Sequence, residues 1–276
     1  MKLIIKLFFI LIISSCSFKM GKPKKEKVFN TSERASYLVK RSKALRYRGK
    51  IVDAIRLMEN SALNFLASGN KKEFFLTNIQ VLILSLTHDK NREYEKEIKK
   101  LENFNIVNDL KMEFPLTIVK SYFFYKKNKK RIAIEILNNY ELSNKIEDLS
   151  TKIYFLCIRF EISNHDVKKE TIMSLDKKTK LYEELYSEDK KGKLNLELLS
   201  KASFNLGKAF LKKGDLKKSN YWLLKNYKIN KSLQHYVKLV PTLQILKNNY
   251  DEMGLGKKSD YYENLNKFYI EFIKSL

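Results

Sequence analysis

The segment from Ser200 to Asn230 constrains the fold of this 276-residue chain most strongly. Its sequence, SKASFNLGKAFLKKGDLKKSNYWLLKNYKIN, divides at Gly214-Asp215 into two amphipathic helical patterns. In each pattern, apolar and small residues recur at the three- and four-residue spacing that marks one face of a helix. Gly207 and Ser219 lie on the facing sides, where small residues let two helix backbones approach closely. The segment therefore predicts a tight antiparallel pair of helices.

Similar paired patterns occupy most of the chain. Glycine and proline number only 8 and 3, which favours helices joined by short turns over a β-sandwich. In four pairs a small residue follows the turn by five positions: Ala54, Ala133, Ser219 and Ser259. The predicted pairs are the helices on either side of Gly49, then 71–88 with 91–104, 114–127 with 129–140, 146–162 with 168–186, the pair within 200–230, and 231–250 with 257–273.

One helix in this series has a pattern that allows two interpretations. The run FFLTNIQVLILSL, residues 74–86, is apolar almost all round. Such a run is typical of a helix at the centre of a stack. It is also compatible with a buried β-strand, so both interpretations stay open on the sequence alone.

The chain resembles the tetratricopeptide repeat family. The resemblance is carried by Leu206-Gly207, Phe210, Gly214-Asp215, Ser219 and Leu223, and pairs recur at intervals of roughly 35–45 residues, as in helical repeat proteins. It implies an all-α fold, a right-handed solenoid of about six antiparallel helix hairpins over residues 31–276. Ser203 stands where the family has tryptophan, so the exact number of repeats is not defined. An irregular helical bundle is the alternative.

The same resemblance implies a concave groove lined by the first helix of each pair. The residues expected to line it are Lys43, Tyr122, Tyr125, Lys201, Lys208 and Lys212. Ser36, Val39 and Ile118 are expected on the same surface. Lysines and tyrosines together suit an extended peptide that carries acidic groups. Alternatively, the tyrosines pack between helices and the lysines only contact solvent.

The N-terminal sequence indicates an export signal. Residues 1–15 combine Lys2 and Lys6 with an uninterrupted apolar run, too short to span a membrane. The sequence Ile13-Ser14-Ser15-Cys16 resembles a bacterial lipobox, which implies lipidation of Cys16 after cleavage. Residues 16–30 then form a flexible lysine-rich tether. The alternative is an ordinary signal peptide followed by an incidental cysteine.

Together these features predict a lipoprotein of the bacterial cell envelope. We expect it to be exported and lipid-anchored, at the outer membrane on its periplasmic face or at the cell surface. There it would act as a scaffold or adaptor that binds a segment of another envelope protein. The formal net charge of +24 also suits anionic lipid or polysaccharide, so the alternative is a surface lipoprotein that binds host or polyanionic ligands. Solvated helix faces would explain the charge equally well.

The sequence predicts no catalytic residues, metal site, cofactor or nucleic-acid partner. Its three histidines, His88, His165 and His235, belong to no metal-binding or catalytic motif. His88 and His165 are expected at helix ends, and His235 on the surface of a helix. Cys157 lies in an apolar run and is expected to be a buried small hydrophobe. An envelope enzyme with an unrecognised site remains a third hypothesis.

Overall fold

The structure is a computed structural model that describes residues 30–86, 88–89, 91–188 and 195–276. Within these residues it contains twelve α-helices and no β-strand. Thr31–Leu276 form one compact unit. The predicted signal peptide and Cys16 lie outside the described residues. The all-α prediction is therefore confirmed for the part of the chain that the structure describes.

The helices follow one another with short connections. They are α1 (Thr31–Tyr47), α2 (Ile51–Ala67), α3 (Lys71–Ser85), α4 (Tyr94–Val107), α5 (Glu113–Lys126), α6 (Lys130–Ser143), α7 (Leu149–Ile162), α8 (Lys169–Glu188), α9 (Leu196–Lys212), α10 (Leu216–Ser232), α11 (Tyr236–Glu252) and α12 (Gly256–Ser275). The apolar run at 74–86 falls largely in α3, so the helical interpretation is confirmed and the strand interpretation is wrong.

Four of the helix pairs turn through the same backbone motif. At Gly49, Asn128, Gly214 and Gly254 the φ angle is positive, between 58° and 81°. The next residue donates its N–H to a carbonyl five positions back, as Asp215 does to Phe210 at 3.0 Å. This is a Schellman motif, which satisfies the last carbonyls of a helix and reverses the chain. Glycine and asparagine adopt this left-handed conformation most easily, which explains their positions.

Small residues lie where the two helices of a pair cross. Ala54, Ala133, Ser219 and Ser259, each five positions after its turn, are all buried. A Cβ atom added at Gly207 would lie 2.6 Å from Leu223 Cγ and 3.4 Å from the Ser219 carbonyl oxygen. The predicted close approach of α9 and α10 is confirmed, because no larger residue fits at this point.

Each helix packs on its neighbours in the sequence, and helices two apart also pack: α3 on α5, α5 on α7 and α7 on α9. The apolar core forms a series of clusters along this order, the largest of which joins α7, α8, α9 and α10 around Trp222. Cys157 is fully buried in that cluster, as predicted.

The first and last helix pairs are also in contact. Helix α1 packs against α11. The rings of Tyr47 and His235 stack with centroids 3.3 Å apart, and Lys50 Nζ donates to the Leu276 carbonyl oxygen at 2.7 Å. A Cβ atom at Gly49 would lie 3.6 Å from Val237. We call this contact the seam, and it closes the chain of helix pairs on itself.

Candidate ligand-binding cavity

The closed arrangement surrounds a cavity of about 890 Å³ that is open to solvent. This volume lies within the range of sites that bind small molecules or short segments. Most of the wall comes from the first helices of successive pairs, α1, α3, α5, α7, α9 and α11. Its aromatic side chains are Tyr47, Phe114, Tyr122, Tyr154, Tyr182 and Phe204, and its charged ones are Lys43, Arg46, Glu161, Glu197, Lys201 and Lys238.

Glu161 is the centre of a hydrogen-bond network on one side of the cavity. Its carboxylate accepts from the Tyr122 hydroxyl and, at 3.2 Å, from Asn205 Nδ2. Lys201 Nζ lies 3.2 Å from the same carboxylate and 4.8 Å from the centre of the Tyr154 ring. These contacts join α5, α7 and α9, so the network fixes the position of the wall.

The network also fixes which of its groups carry a proton. Burial, followed by the charge of Glu161, raises the pKa of Tyr122 well above its ordinary value, so the phenol remains a hydrogen-bond donor. Burial would lower the pKa of Lys201, but the Glu161 carboxylate, together with Tyr154 and Cys157, raises the pKa above its ordinary value. Lys201 therefore stays positively charged and compensated.

His165 extends this network into the turn after α7. Its Nε2 atom lies 2.9 Å from Asn205 Oδ1, while its Nδ1 atom is buried without a hydrogen-bond partner among the described residues. Burial, with a further contribution from the charge of Lys208, lowers the pKa of His165 to about 4. The ring is neutral at pH 7, which argues for a structural role.

Buried amide and hydroxyl side chains shape the adjacent wall between α9, α10 and α11. Asn226 Nδ2 donates to the Ser200 carbonyl oxygen at 2.8 Å, and Asn226 Oδ1 accepts from Thr242 and Asn230 at 2.6 and 3.0 Å. Ser200 in turn donates to Asn230 Oδ1 at 2.9 Å. These groups satisfy one another, so they hold the wall in place and offer few free hydrogen bonds to a ligand.

The seam supplies the other charged side of the cavity. Arg46 lies 3.5 Å from Glu197, across the contact between α1 and α9, and donates to the Tyr47 hydroxyl at 2.6 Å. Lys238 Nζ lies 5.1 Å from the centre of the Tyr47 ring. Burial, followed by repulsion from Arg46, lowers the pKa of Lys238 to about 8. This lysine is therefore in an environment that disfavours its charge.

The residues predicted from the sequence divide into two groups. Three of them, from three different helix pairs, line the same cavity: Lys43, Tyr122 and Lys201. Tyr125 instead packs on the apolar cluster between α5, α6 and α7, which also buries Ile118. Lys208 lies over the Phe204 ring at 5.7 Å, and Lys212 is exposed. Ser36 is exposed and Val39 half-buried, and neither is part of the cavity wall.

Sequence reasoning missed the acidic residues of the cavity and misplaced one histidine. Glu161 was detectable, since it is a charged residue at the end of the apolar run IYFLCIRFEI. Glu197 sits in the first turn of α9 and carried no signal beyond that of an ordinary helix start. His235 was expected on a helix surface. It is instead buried just before α11, stacked on Tyr47.

Comparison with known proteins assigns no family to this chain. No protein-family model matches it, and no curated protein matches it significantly. Among the described residues, no helix is long and apolar enough to cross a bilayer, and no group of three histidine, cysteine or acidic side chains could hold a metal ion.

Proposed function

We propose that this protein is a lipid-anchored binding module of the bacterial cell envelope. In this proposal its helix pairs form a right-handed, tetratricopeptide-like solenoid that receives a segment of another protein. The protein acts as a scaffold or adaptor and has no enzymatic role. The packing of helices two apart, with small residues at the crossings, supports the solenoid interpretation.

The observation that carries the binding proposal is the cavity itself. Its wall combines aromatic faces with a small number of charged groups, which is the usual composition of a ligand site. Its two carboxylates are each held by a cation of the protein, Lys201 or Arg46. This arrangement provides apolar anchors and positive charge, and it provides no obvious pair of groups for acid–base chemistry.

Photocrosslinking in intact cells tests this function. Gln80 is an exposed residue of α3 on the cavity wall, and Asn139 is an exposed residue of α6 outside it. A benzophenone side chain at position 80 should crosslink one defined segment of one envelope protein, identified by mass spectrometry. The same group at position 139 is the matched control. Equal crosslinking from both positions, or none from position 80, would count against the proposal.

The lipid anchor is tested separately. Cys16 lies in the lipobox-like sequence, whereas Cys157 is fully buried in the core. Cys16→Ala should abolish metabolic labelling with a palmitate analogue and release the protein from membranes, because Cys16 is the residue that would carry the anchoring acyl chains. Cys157→Ala should keep the label. Labelling that persists in Cys16→Ala would refute the anchor and the outer-membrane location that depends on it.

The high positive charge favours a second candidate, a surface lipoprotein that binds polyanions. Binding driven by dispersed lysines should weaken steeply as salt is raised above physiological concentration, because exposed charges are screened. Binding in the cavity should depend less on salt, because aromatic contacts contribute. Heparin and an anionic vesicle containing phosphatidylglycerol are suitable probes. Tight, salt-sensitive binding of heparin that is insensitive to a bulky Gln80→Trp substitution would favour the second candidate.

A further inference from the structure

The charges on the cavity wall do not balance. Its cations are Lys43, Arg46, Lys201 and Lys238, and its carboxylates are Glu161 and Glu197. Glu161 is paired with Lys201 and Glu197 with Arg46. Within the described part of the chain, no carboxylate lies within 4.0 Å of Lys43 or Lys238. The cavity wall therefore carries two more positive than negative charges, and Glu197 is shared electrostatically by Lys43, Arg46 and Lys238.

These two lysines come from opposite sides of the seam, Lys43 from α1 and Lys238 from α11. Both contribute to the electrostatic environment of Glu197 and His235, together with Arg46. Lys238 is half-buried and faces the Tyr47 ring. Partial burial of a lysine among more cations than carboxylates is unfavourable, because the nearby like charges repel it. An anion bound between these cations would therefore be favourable.

We propose that Lys43 and Lys238 bind a carboxylate of the ligand, and that this ligand is an acidic segment of a partner protein. The inference rests on the proposed function, because it takes the cavity to be the binding site. It adds the chemistry of the occupant: at least one glutamate or aspartate at the seam, next to apolar side chains that contact Tyr154, Phe114 or Phe204.

A protein segment fits the wall better than an acyl chain does. The ion pairs of Glu161 and Glu197 lie on different sides of the cavity, and the Tyr122 hydroxyl is bonded to Glu161. An acyl chain filling the cavity would remove water from these groups and form no hydrogen bonds to replace it. A peptide alternates polar backbone and side chains, so it can leave them hydrated or bond to them. Fatty acid binding is therefore an outcome that the test must distinguish.

The position of the site has a structural consequence. A carboxylate held by both lysines would link the first and last helix pairs, which otherwise meet through a few contacts such as the Tyr47–His235 stack. Bound ligand should therefore protect the backbone amides of α1 and α11 from hydrogen exchange more than those of α5. A ligand without the carboxylate should not produce this difference.

The test uses the full chain and a display library of random dodecapeptides. The variant Lys43→Gln/Lys238→Gln removes the site, and Lys99→Gln/Lys100→Gln removes the same charge from an exposed face of α4. We expect enriched peptides to be acidic, and to bind the first variant at least about tenfold more weakly than the wild type and the second variant nearly as well as the wild type. Replacing glutamate by glutamine in the peptide should weaken binding to the wild type, with little further effect on Lys43→Gln/Lys238→Gln.

The outcomes separate the two proposals. Enriched peptides that are neutral, or acidic peptides that bind both variants equally, would overturn the carboxylate site and leave the proposed function standing. Failure to enrich any peptide whose binding is blocked by Gln80→Trp would overturn both. A dansyl-labelled fatty acid that binds more tightly than every peptide, and loses affinity only in Lys43→Gln/Lys238→Gln, would show that the anion comes from a lipid and would overturn the protein source.

Discussion

The pairs α9–α10 and α3–α4 show two ways of packing antiparallel helices in one chain. In α9–α10 a short turn at Gly214 and the close contact of Gly207 with Leu223 bring the backbones together. In α3–α4 the helices are separated by residues 86–93, and large side chains fill the space between them, including Phe75, Ile79, Ile98 and Leu101. The packing of α9 on α10 depends on the absence of a side chain at Gly207, whereas the packing of α3 on α4 depends on large side chains that fill the space between the helices.

The largest predicted effect follows from this dependence on volume. Phe75 is fully buried between α3 and its neighbours. Phe75→Ala should lower the free energy of unfolding by about 3–5 kcal/mol, because the truncation loses buried apolar surface and leaves a cavity. Urea denaturation followed by circular dichroism measures the change. Phe268→Ala, at a position that is 59% exposed, is the control and should have little effect. Equal losses in both variants would contradict the assigned core.

A larger side chain at the contact between α9 and α10 should lower the stability of the fold. Gly207→Leu places a side chain where even a Cβ atom would meet Leu223, so we expect a loss of about 2 kcal/mol. This value takes an overpacking cost of up to about 3 kcal/mol and subtracts about 1 kcal/mol for the better helix propensity of leucine. Gly256→Leu is the control, because no atom lies within 4 Å of its added Cβ. If both variants are equally stable, the close approach of α9 and α10 is wrong.

The two pairs should also respond differently to pH. Buried histidines lie beside α9–α10, whereas His88, between α3 and α4, is exposed. The folded-state pKa of His165 is about 4, below the ordinary 6.5, because of burial and the charge of Lys208. The unfolded chain therefore binds more protons between pH 4 and pH 6.5, and stability falls as the pH falls. We expect His165 to account for a loss of about 1 kcal/mol between pH 7 and pH 5.5.

The measurement for this prediction is the urea-unfolding free energy of the wild type and of His165→Gln at both pH values. The variant should show a smaller loss on acidification. His235 has a pKa lowered to about 4, mainly by burial, and His235→Gln should show a similar reduction. An identical pH dependence in the wild type and both variants would contradict the buried, neutral state of these rings.

Local sequence signals account for the helices and most turns. Gly49, Gly214, Gly254 and Asn128 mark turns because these residue types tolerate positive φ, and the structure has positive φ at all four. The turn at Gln234 also has positive φ, but glutamine carries no such signal. The sequence therefore placed the start of α11 at residue 231, five residues before its actual start at Tyr236, and misjudged the neighbouring His235.

The cavity was predictable only in part, for a physical reason. The resemblance to tetratricopeptide repeats, which places the first helix of each pair on the concave surface, implied Lys43, Tyr122 and Lys201 as lining residues. The same rule also named Tyr125, Lys208 and Lys212, which are not part of the cavity wall. Periodicity within a helix does not report how the ends of the array meet. The contacts of Tyr47 with His235 and of Lys50 with Leu276 join residues nearly two hundred positions or more apart. No local pattern predicts such a contact.

The most direct test of the closed arrangement is the distance between the first and last helix pairs. Spin labels at Arg48 and Ser275, both exposed, in a Cys16→Ala background can be measured by double electron–electron resonance. Since Lys50 contacts Leu276, we predict a single short distance between the labels. Six helix pairs stacked without closure, with helix axes about 9 Å apart, would separate the labels by roughly 45 Å. A distribution centred there would contradict the seam and the cavity it closes.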